Sequence, residues 1–415
     1  MSRAAVMTIF LSVVVTVVSG LHYYFWTRLV RDPGFHAPVR QVLTLLLALL
    51  AISLPLSFLL SRTLSPRLNS VITFPIFIWM GLMFLLFVLL LSVDLVRLLT
   101  WIGQRLARTA VETDLQRRAF VARIIAGAVT TGAIGAAAAG VYAAFTRLTT
   151  RRLEIRLARL PSSLDGFTIV QITDLHLGPT LGRRWLEGVV ARVNQLRPDL
   201  IAITGDLVDG SVEHLRQVVA PVERLRAAHG VFFVTGNHEY YSGAKEWIAE
   251  LGRMGIQTLH NERVSVGGGD SFDLAGVDDH HGGRMLPGHG PDLARAVAGR
   301  DARRELVLLA HQPLAIFDAA KHGVGLQLSG HTHGGQIWPL GFLVRLQQPY
   351  IAGHVWHEQT QLYVSQGTGF WGPPMRLGTT SEITHLTLRA GRGASPAQRR
   401  SVAPPDESDG AQRSG

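Results

Sequence analysis

Cysteine is absent from this 415-residue sequence. That excludes disulfides, thiolate metal ligands and cysteine nucleophiles, and leaves the redox compartment open. Lysine is nearly absent too, with only Lys245 and Lys321. Acidic residues are scarce at the start. Residues 1–152 hold four (Asp32, Asp94, Glu112, Asp114) against 15 arginines, a balance of +11, whereas the rest has 26 acidic against 25 basic residues. A basic excess confined to an apolar region points to membrane flanks and argues against a nucleic-acid partner.

Charge is also missing from four long apolar stretches: 4–26, 42–60, 71–93 and 120–145, the last interrupted only by Arg123. Each offers about the 20 residues that a helix needs to cross roughly 30 Å of hydrocarbon. Buried core helices of that length would show a polar face. Residues 1–150 are therefore expected to form a membrane region of four transmembrane helices. The spans contain no acidic residue and no charge pair, which argues against a transport path.

After Arg151-Arg152 the texture changes to short β-branched runs alternating with amphipathic helical patterns, the signature of an α/β domain. From about Ala390 the chain turns polar and rich in Pro, Gly and Ser, so 391–415 reads as a disordered tail. Five strand ends carry polar motifs: "DLH" (Asp174, His176), "GDLVDG" (Asp206, Asp209), "GNHE" (Asn237, His238), "HQP" (His311) and "GHTH" (His331, His333). Any one of them is weak. Together they bring carboxylate, carboxamide and imidazole groups to one edge of one sheet, where open α/β sheets bind ligands. Such a cluster is costly unless compensated. Two divalent cations would compensate it, and oxygen and nitrogen donors without thiolate suit Mn, Fe or Zn. His331 and His333 are alternate residues, so on an extended segment both face the same way.

In order and spacing these motifs resemble those of the calcineurin-like metallophosphoesterases, over about 153–390. "GNHEYYSG", "AGVDD" and "SGHTHGGQIWP" are similar to the bacterial branch of membrane-anchored or exported phosphodiesterases. The resemblance implies a four-layer α/β/β/α sandwich of two mixed sheets, following the α-helical membrane region. It implies that Asp174, His176 and His333 bind one metal, that Asn237, His311 and His331 bind the other, and that Asp206 bridges them. A metal-bridging hydroxide would attack phosphorus. His238 would protonate the leaving group, and Asp209 would fix the His238 tautomer. The expected substrate is a phosphodiester, phosphomonoester or pyrophosphate, with a membrane lipid in view.

"QGTGFWGPPMRLG" (366–378) offers Arg376 as a candidate contact for substrate phosphate and Phe370 and Trp371 as residues that dip toward the membrane. His280 and His281 are candidate pocket residues, whereas His260 and His289 match no motif. "QRRAFVARIIAGAV" (116–129) resembles a twin-arginine export signal and favours an extracytoplasmic catalytic domain of an integral cell-membrane protein. Two alternatives stand beside this reading. One is a cytoplasm-facing pyrophosphatase of the UDP-2,3-diacylglucosamine type, and the other an inactive membrane sensor or scaffold.

Overall fold

The computed structural model describes residues 3–60, 66–108 and 114–391; the tail expected from 391 onward lies, from residue 392, outside them. Four helices come first: α1 (Arg3–Phe25), continued by a π-helical turn (Trp26–Arg31), α2 (Ala37–Leu60), α3 (Pro66–Leu106) and α4 (Leu115–Thr146). Asp114 caps α4, its carboxylate accepting the Gln116 and Arg117 amides. Leu45, Leu49, Val71, Leu91, Ile124 and Ile134 all point outward. Leaving such side chains in water forfeits ~1.5–3 kcal/mol each, so this surface requires an apolar solvent. All four helices are long and apolar enough to cross a membrane. The chain is a membrane protein.

The helices outrun the apolar stretches that mark them. α3 has 41 residues, about 61 Å at 1.5 Å per residue, twice the hydrocarbon thickness. Hydropathy locates the stretch within lipid, but a helix continues wherever its backbone bonds do. Asp94 therefore lies within α3 and pairs with Arg28 of the π-helical turn at 3.0 Å, while the Tyr24 hydroxyl donates to it at 2.7 Å. A charge pair does join two of the helices, just beyond the expected spans.

α4 runs directly into the first strand. The strands are β1 (Leu148–Leu157), β2 (Thr168–Ile172), β3 (Leu200–Ile203), β4 (Val231–Phe233), β5 (Gln257–Thr258), β6 (Glu262–Gly267), β7 (Ser271–Gly276), β8 (Leu306–Leu309), β9 (Leu326–Ser329), β10 (Gly353–His357), β11 (Thr360–Val364) and β12 (Ser381–Ala390). They form two six-stranded mixed sheets, ordered β1-β12-β2-β3-β4-β5 and β10-β11-β9-β8-β7-β6. Ile169, Leu200 and Phe232 from the first sheet pack against Leu274, Val307 and Leu326 from the second. The outer face of the first sheet is covered by α5 (Arg183–Gln195), α6 (Val212–Val219) and α8 (Ala244–Arg253), through Leu186, Val190, Leu215 and Trp247, with the short α7 (Asn237–Ser242) just before α8. Ile316 and Ala319 cover the second sheet. Strands buried on both faces read as apolar runs, which is why "LIAI" and "LVLL" show no alternation. This is the expected four-layer sandwich.

The sandwich is fastened to the helices. Phe370 packs edge-on against Phe145 of α4 at 5.3 Å. The Arg376 amide donates to the Gly140 carbonyl at 3.0 Å. Met375 fills the space over Gly81 and Gly140, where a Cβ on either would crowd it.

Candidate metal centre

The polar motifs follow β2, β3 and β4 of the first sheet and β8 and β9 of the second. The donors therefore converge from the carboxyl ends of two sheets, not from one edge of one sheet. Strand pattern alone does not say which sheet a strand joins.

Three groups of side chains place donor atoms within 4.8 Å of one another: Asp174, His176 and His333; Asp206, His311 and His331; and His176, Asp206 and His238. Asp206 joins the second and third, and its Oδ2 lies 3.1 Å from His311 Nε2 and 3.7 Å from His176 Nε2. On the other side His333 Nε2 is 3.4 Å from Asp174 Oδ1. Asp174, His176, Asp206, His311 and His333 are all buried.

Local backbone conformation aims these groups. Asp174 (φ 53°), His176 (φ 45°), Asp206 (φ 52°), His331 (φ 71°) and His333 (φ 50°) all occupy the left-handed region. A side chain there costs ~1–3 kcal/mol, and clusters of such residues mark functional sites. Thus His331 and His333 are not alternate residues of an extended segment. The backbone turns through positive φ at each, with Thr332 at φ −82° between them, and enters a short 3-10 turn. Gly330 is required by close approach, because a Cβ there would collide with Asp174 and Thr173.

Hydrogen bonds fix the imidazoles. His311 Nδ1 donates to the Thr204 carbonyl at 2.8 Å, which turns its Nε2 lone pair inward. His176 Nδ1 donates to Asp209 Oδ1 at 3.0 Å, with the same effect. That oxygen also accepts from His238 Nδ1 at 2.6 Å. Backing of this kind typifies metal-binding histidines.

The donors fit divalent cations. Asn237 Oδ1 is buried, with no hydrogen-bond partner among the described residues. His176 Nε2 meets His333 Nε2 at 3.1 Å, and His311 Nε2 meets His331 Nδ1 at 3.2 Å. Nitrogens facing each other this closely leave lone pairs for which a cation is the matching partner.

Charge is arranged accordingly. Burial would raise the Asp206 carboxyl, but His311, His238 and His176 hold it well below its usual value. Burial raises Asp174, with the Asp206 charge adding to it. Burial and the neighbouring His311 pull His331 down to about 3, and burial with His176 and Arg376 pushes His333 well down, so both stay neutral and able to coordinate. His238 goes the other way. Burial opposes its charge, yet Asp206, Asp209 and Glu239 bring it up to about 9.

Glu239 closes the "GNHE" motif, and the motif reading gives it no role. It is fully buried, and its carboxylate accepts the amides of Gly236 (2.7 Å), Leu207 (2.8 Å), Asp206 (3.0 Å) and Val208 (3.4 Å). It ties the loop bearing Asp206 to the start of α7, which bears Asn237 and His238. A glutamate at the third position of a helix is the available sequence signal.

Arg376 does not face substrate. It is 1% exposed and donates to the carbonyls of His333, Gly367 and Gly369, bracing the loop behind His333. Phe370 is buried likewise, whereas Trp371 is 54% exposed, with its ring 5.7 Å from that of His238. His281 bonds to Asp279 and Gln312. His280 lines two clefts, and the wall of one of them also includes His311.

The profile of the family described as calcineurin-like phosphoesterase matches residues 167–335, a range that contains every candidate donor. An uncharacterized metallophosphoesterase, YkuE, of Bacillus subtilis is 30% identical over 290 residues, 66% of this chain and 98% of that protein. The chain belongs to the calcineurin-like metallophosphoesterase family. A transmembrane protein with metallophosphoesterase domain from Bos taurus is 46% identical over 250 residues, 57% of this chain and 56% of that one. An uncharacterized metallophosphoesterase of Helicobacter pylori is 39% identical over 251 residues, 60% of this chain and 66% of that one. The chain thus spans little more than half the length of the Bos taurus relative.

Proposed function

We propose that this chain is a membrane-tethered phosphoesterase that uses two divalent metal ions and cleaves the phosphodiester, phosphomonoester or pyrophosphate of a membrane lipid. The supporting observation is a cleft of ≈ 420 Å³ with His238, Asp209, Tyr241 and Trp371 on one side and Ser57, Asn69, Thr73 and Phe77 of α2 and α3 on the other. A phosphoester bound beside His238 would lie against the ends of the membrane helices. A soluble substrate needs no such wall.

Asp174, His176 and His333 would hold one ion, Asn237, His311 and His331 the other, and Asp206 both; Mn, Fe and Zn suit these donors. When bound, the ions would activate water and offset phosphoryl charge. Asp209 engages His238 Nδ1, so His238 Nε2 is the atom that delivers a proton to the leaving oxygen. Trp371 and Tyr241 flank the same ring and narrow the approach. The inactive-scaffold reading has no support in this arrangement, because every candidate donor is present. The twin-arginine pattern supports an extracytoplasmic catalytic domain.

The test is one headgroup on a short soluble chain and on a long lipid chain, assayed with the full-length protein in micelles. The long chain should be cleaved at least ~10-fold better by kcat/KM, with the preference reduced in Trp371→Ala. Equal values, indifferent to that change, overturn the lipid assignment and leave the helices as a tether.

A further inference from the structure

His260, Asp278 and His289 stand outside the metal centre, and their donor atoms also lie within 4.8 Å of one another. Asp278 is 2% exposed, and among the described residues its ion-pair partners are these two imidazoles. Both turn Nδ1 toward this carboxylate: His260 lies 2.8 Å from Oδ1 and 2.7 Å from Oδ2, and His289 lies 3.3 Å from Oδ2. The two rings lie 4.5 Å apart, centroid to centroid.

Hydrogen bonding joins His260 closely to Asp278 but leaves His289 at 3.3 Å from it. His289 Nδ1 is shared between Asp278 Oδ2 at 3.3 Å and the Tyr240 hydroxyl at 3.1 Å. Burial lowers the His289 pKa, aided by His260 and Lys245 against the pull of Asp278, and so favours the neutral, coordinating ring. The carboxylate is held from behind. The Gly290 amide donates to Oδ2 at 3.3 Å, and Asn261 Oδ1 accepts the amides of Asp278 (3.2 Å) and Asp292 (2.9 Å). Asn261 Nδ2 donates to the Gly290 carbonyl at 2.7 Å, which pins the loop carrying His289. Support of this kind usually accompanies metal ligands.

We propose that His260, Asp278 and His289 form a separate binding site for one first-row divalent cation, of which zinc is the best match. Two imidazoles and a carboxylate are a common zinc donor set, and water completes the shell on the side open to the cleft beside Gly288 and Arg295. Zinc bonds of ~2.0–2.1 Å in a tetrahedron set donor separations near ~3.3 Å. His289 and Asp278 already stand at 3.3 Å. His260 must open from 2.7 Å, a movement of roughly 0.6 Å toward that tetrahedral spacing, and its side chain, 33% exposed, stands at the rim where there is room. The bound ion would join β7, the turn before β6 and the loop carrying His289. Tyr240, which contacts His289, sits on α7 two residues after His238, so the site would brace the helix that carries Asn237 and His238.

The experiment uses the full-length protein in detergent, stripped with chelator and titrated with Zn²⁺ alone. Wild type should bind one zinc equivalent more than His260→Gln or His289→Gln. The zinc-induced rise in melting temperature should be smaller in both variants, while their metal-free melting temperatures match wild type. His260→Gln, at the rim, keeps the test decisive if His289→Gln fails to fold. Equal zinc stoichiometry and equal thermal shifts in wild type and His260→Gln overturn the site and leave a hydrogen-bonded His–Asp–His brace.

Discussion

Asp209 and His238 are joined by a 2.6 Å hydrogen bond, and the same Asp209 oxygen also receives His176 at 3.0 Å. One carboxylate thus orients the proposed proton donor and a proposed metal ligand together. His238→Ala should lose activity by ~10²–10⁴-fold, the usual scale for a general acid, and keep its metal. Asp209→Asn should lose activity and also weaken metal affinity by ~10–100-fold, the usual effect of removing a ligand's supporting group. Turnover at saturating metal, with metal content by elemental analysis, separates the two. A His238→Ala protein without metal would overturn the assignment of roles.

The charge on His238 sets a pH limit. Its pKa is raised to about 9, so the protonated donor is present below that pH and is lost as pH rises through it. Cations held by Asp206 would offset some of the negative charge that does the raising, so on loading the limb moves below 9. A profile of kcat against pH should therefore fall on the alkaline side in wild type. In His238→Gln that limb should be missing, with a low and flat rate. An unchanged limb in the variant assigns it to another group.

Glu239 gives a stability prediction. Removing its carboxylate deprives four buried amides of their acceptor, at ~1–3 kcal/mol for each donor left unsatisfied. Glu239→Ala should lose at least ~3 kcal/mol, read as a lower melting temperature of the metal-free protein. Metal affinity should also fall, because the Asp206 loop loses its anchor. A variant that melts like wild type would show that water replaces the carboxylate.

The polar cluster could be read from the sequence because Asp, Asn and His stand directly after strands, and short apolar runs mark where strands end. Packing was less legible. Arg376 resembles a phosphate contact in sequence, but three backbone carbonyls claim it. His260 and His289 match no motif, since they reach Asp278 from separate loops. The geometry of His331 and His333 is not legible in the sequence, because alternation holds only for an extended backbone, and here strained turns aim the rings. Composition marked four apolar stretches but not the helix ends, since charged residues such as Asp94 continue a helix.

Which side of the membrane the sandwich occupies turns on Arg117 and Arg118. Both are exposed in the first turn of α4, just after the Asp114 cap. As an export signal they must be arginines. As a membrane-end anchor they need only be cationic, and lysine serves equally, since orientation follows the positive charge of either residue. Lysine is also as good a helix former as arginine, so exchanging them leaves α4 and its cap intact. The double change Arg117→Lys/Arg118→Lys therefore separates the two roles without altering net charge or fold. With a reporter that is active only outside the cytoplasm fused after Gly391, the wild-type fusion should be active and the double variant at least ~10-fold less so at equal expression. An active reporter in both reduces the pair to an anchor. A silent reporter in both places the catalytic domain in the cytoplasm, where a cytoplasm-facing pyrophosphatase becomes the reading to test.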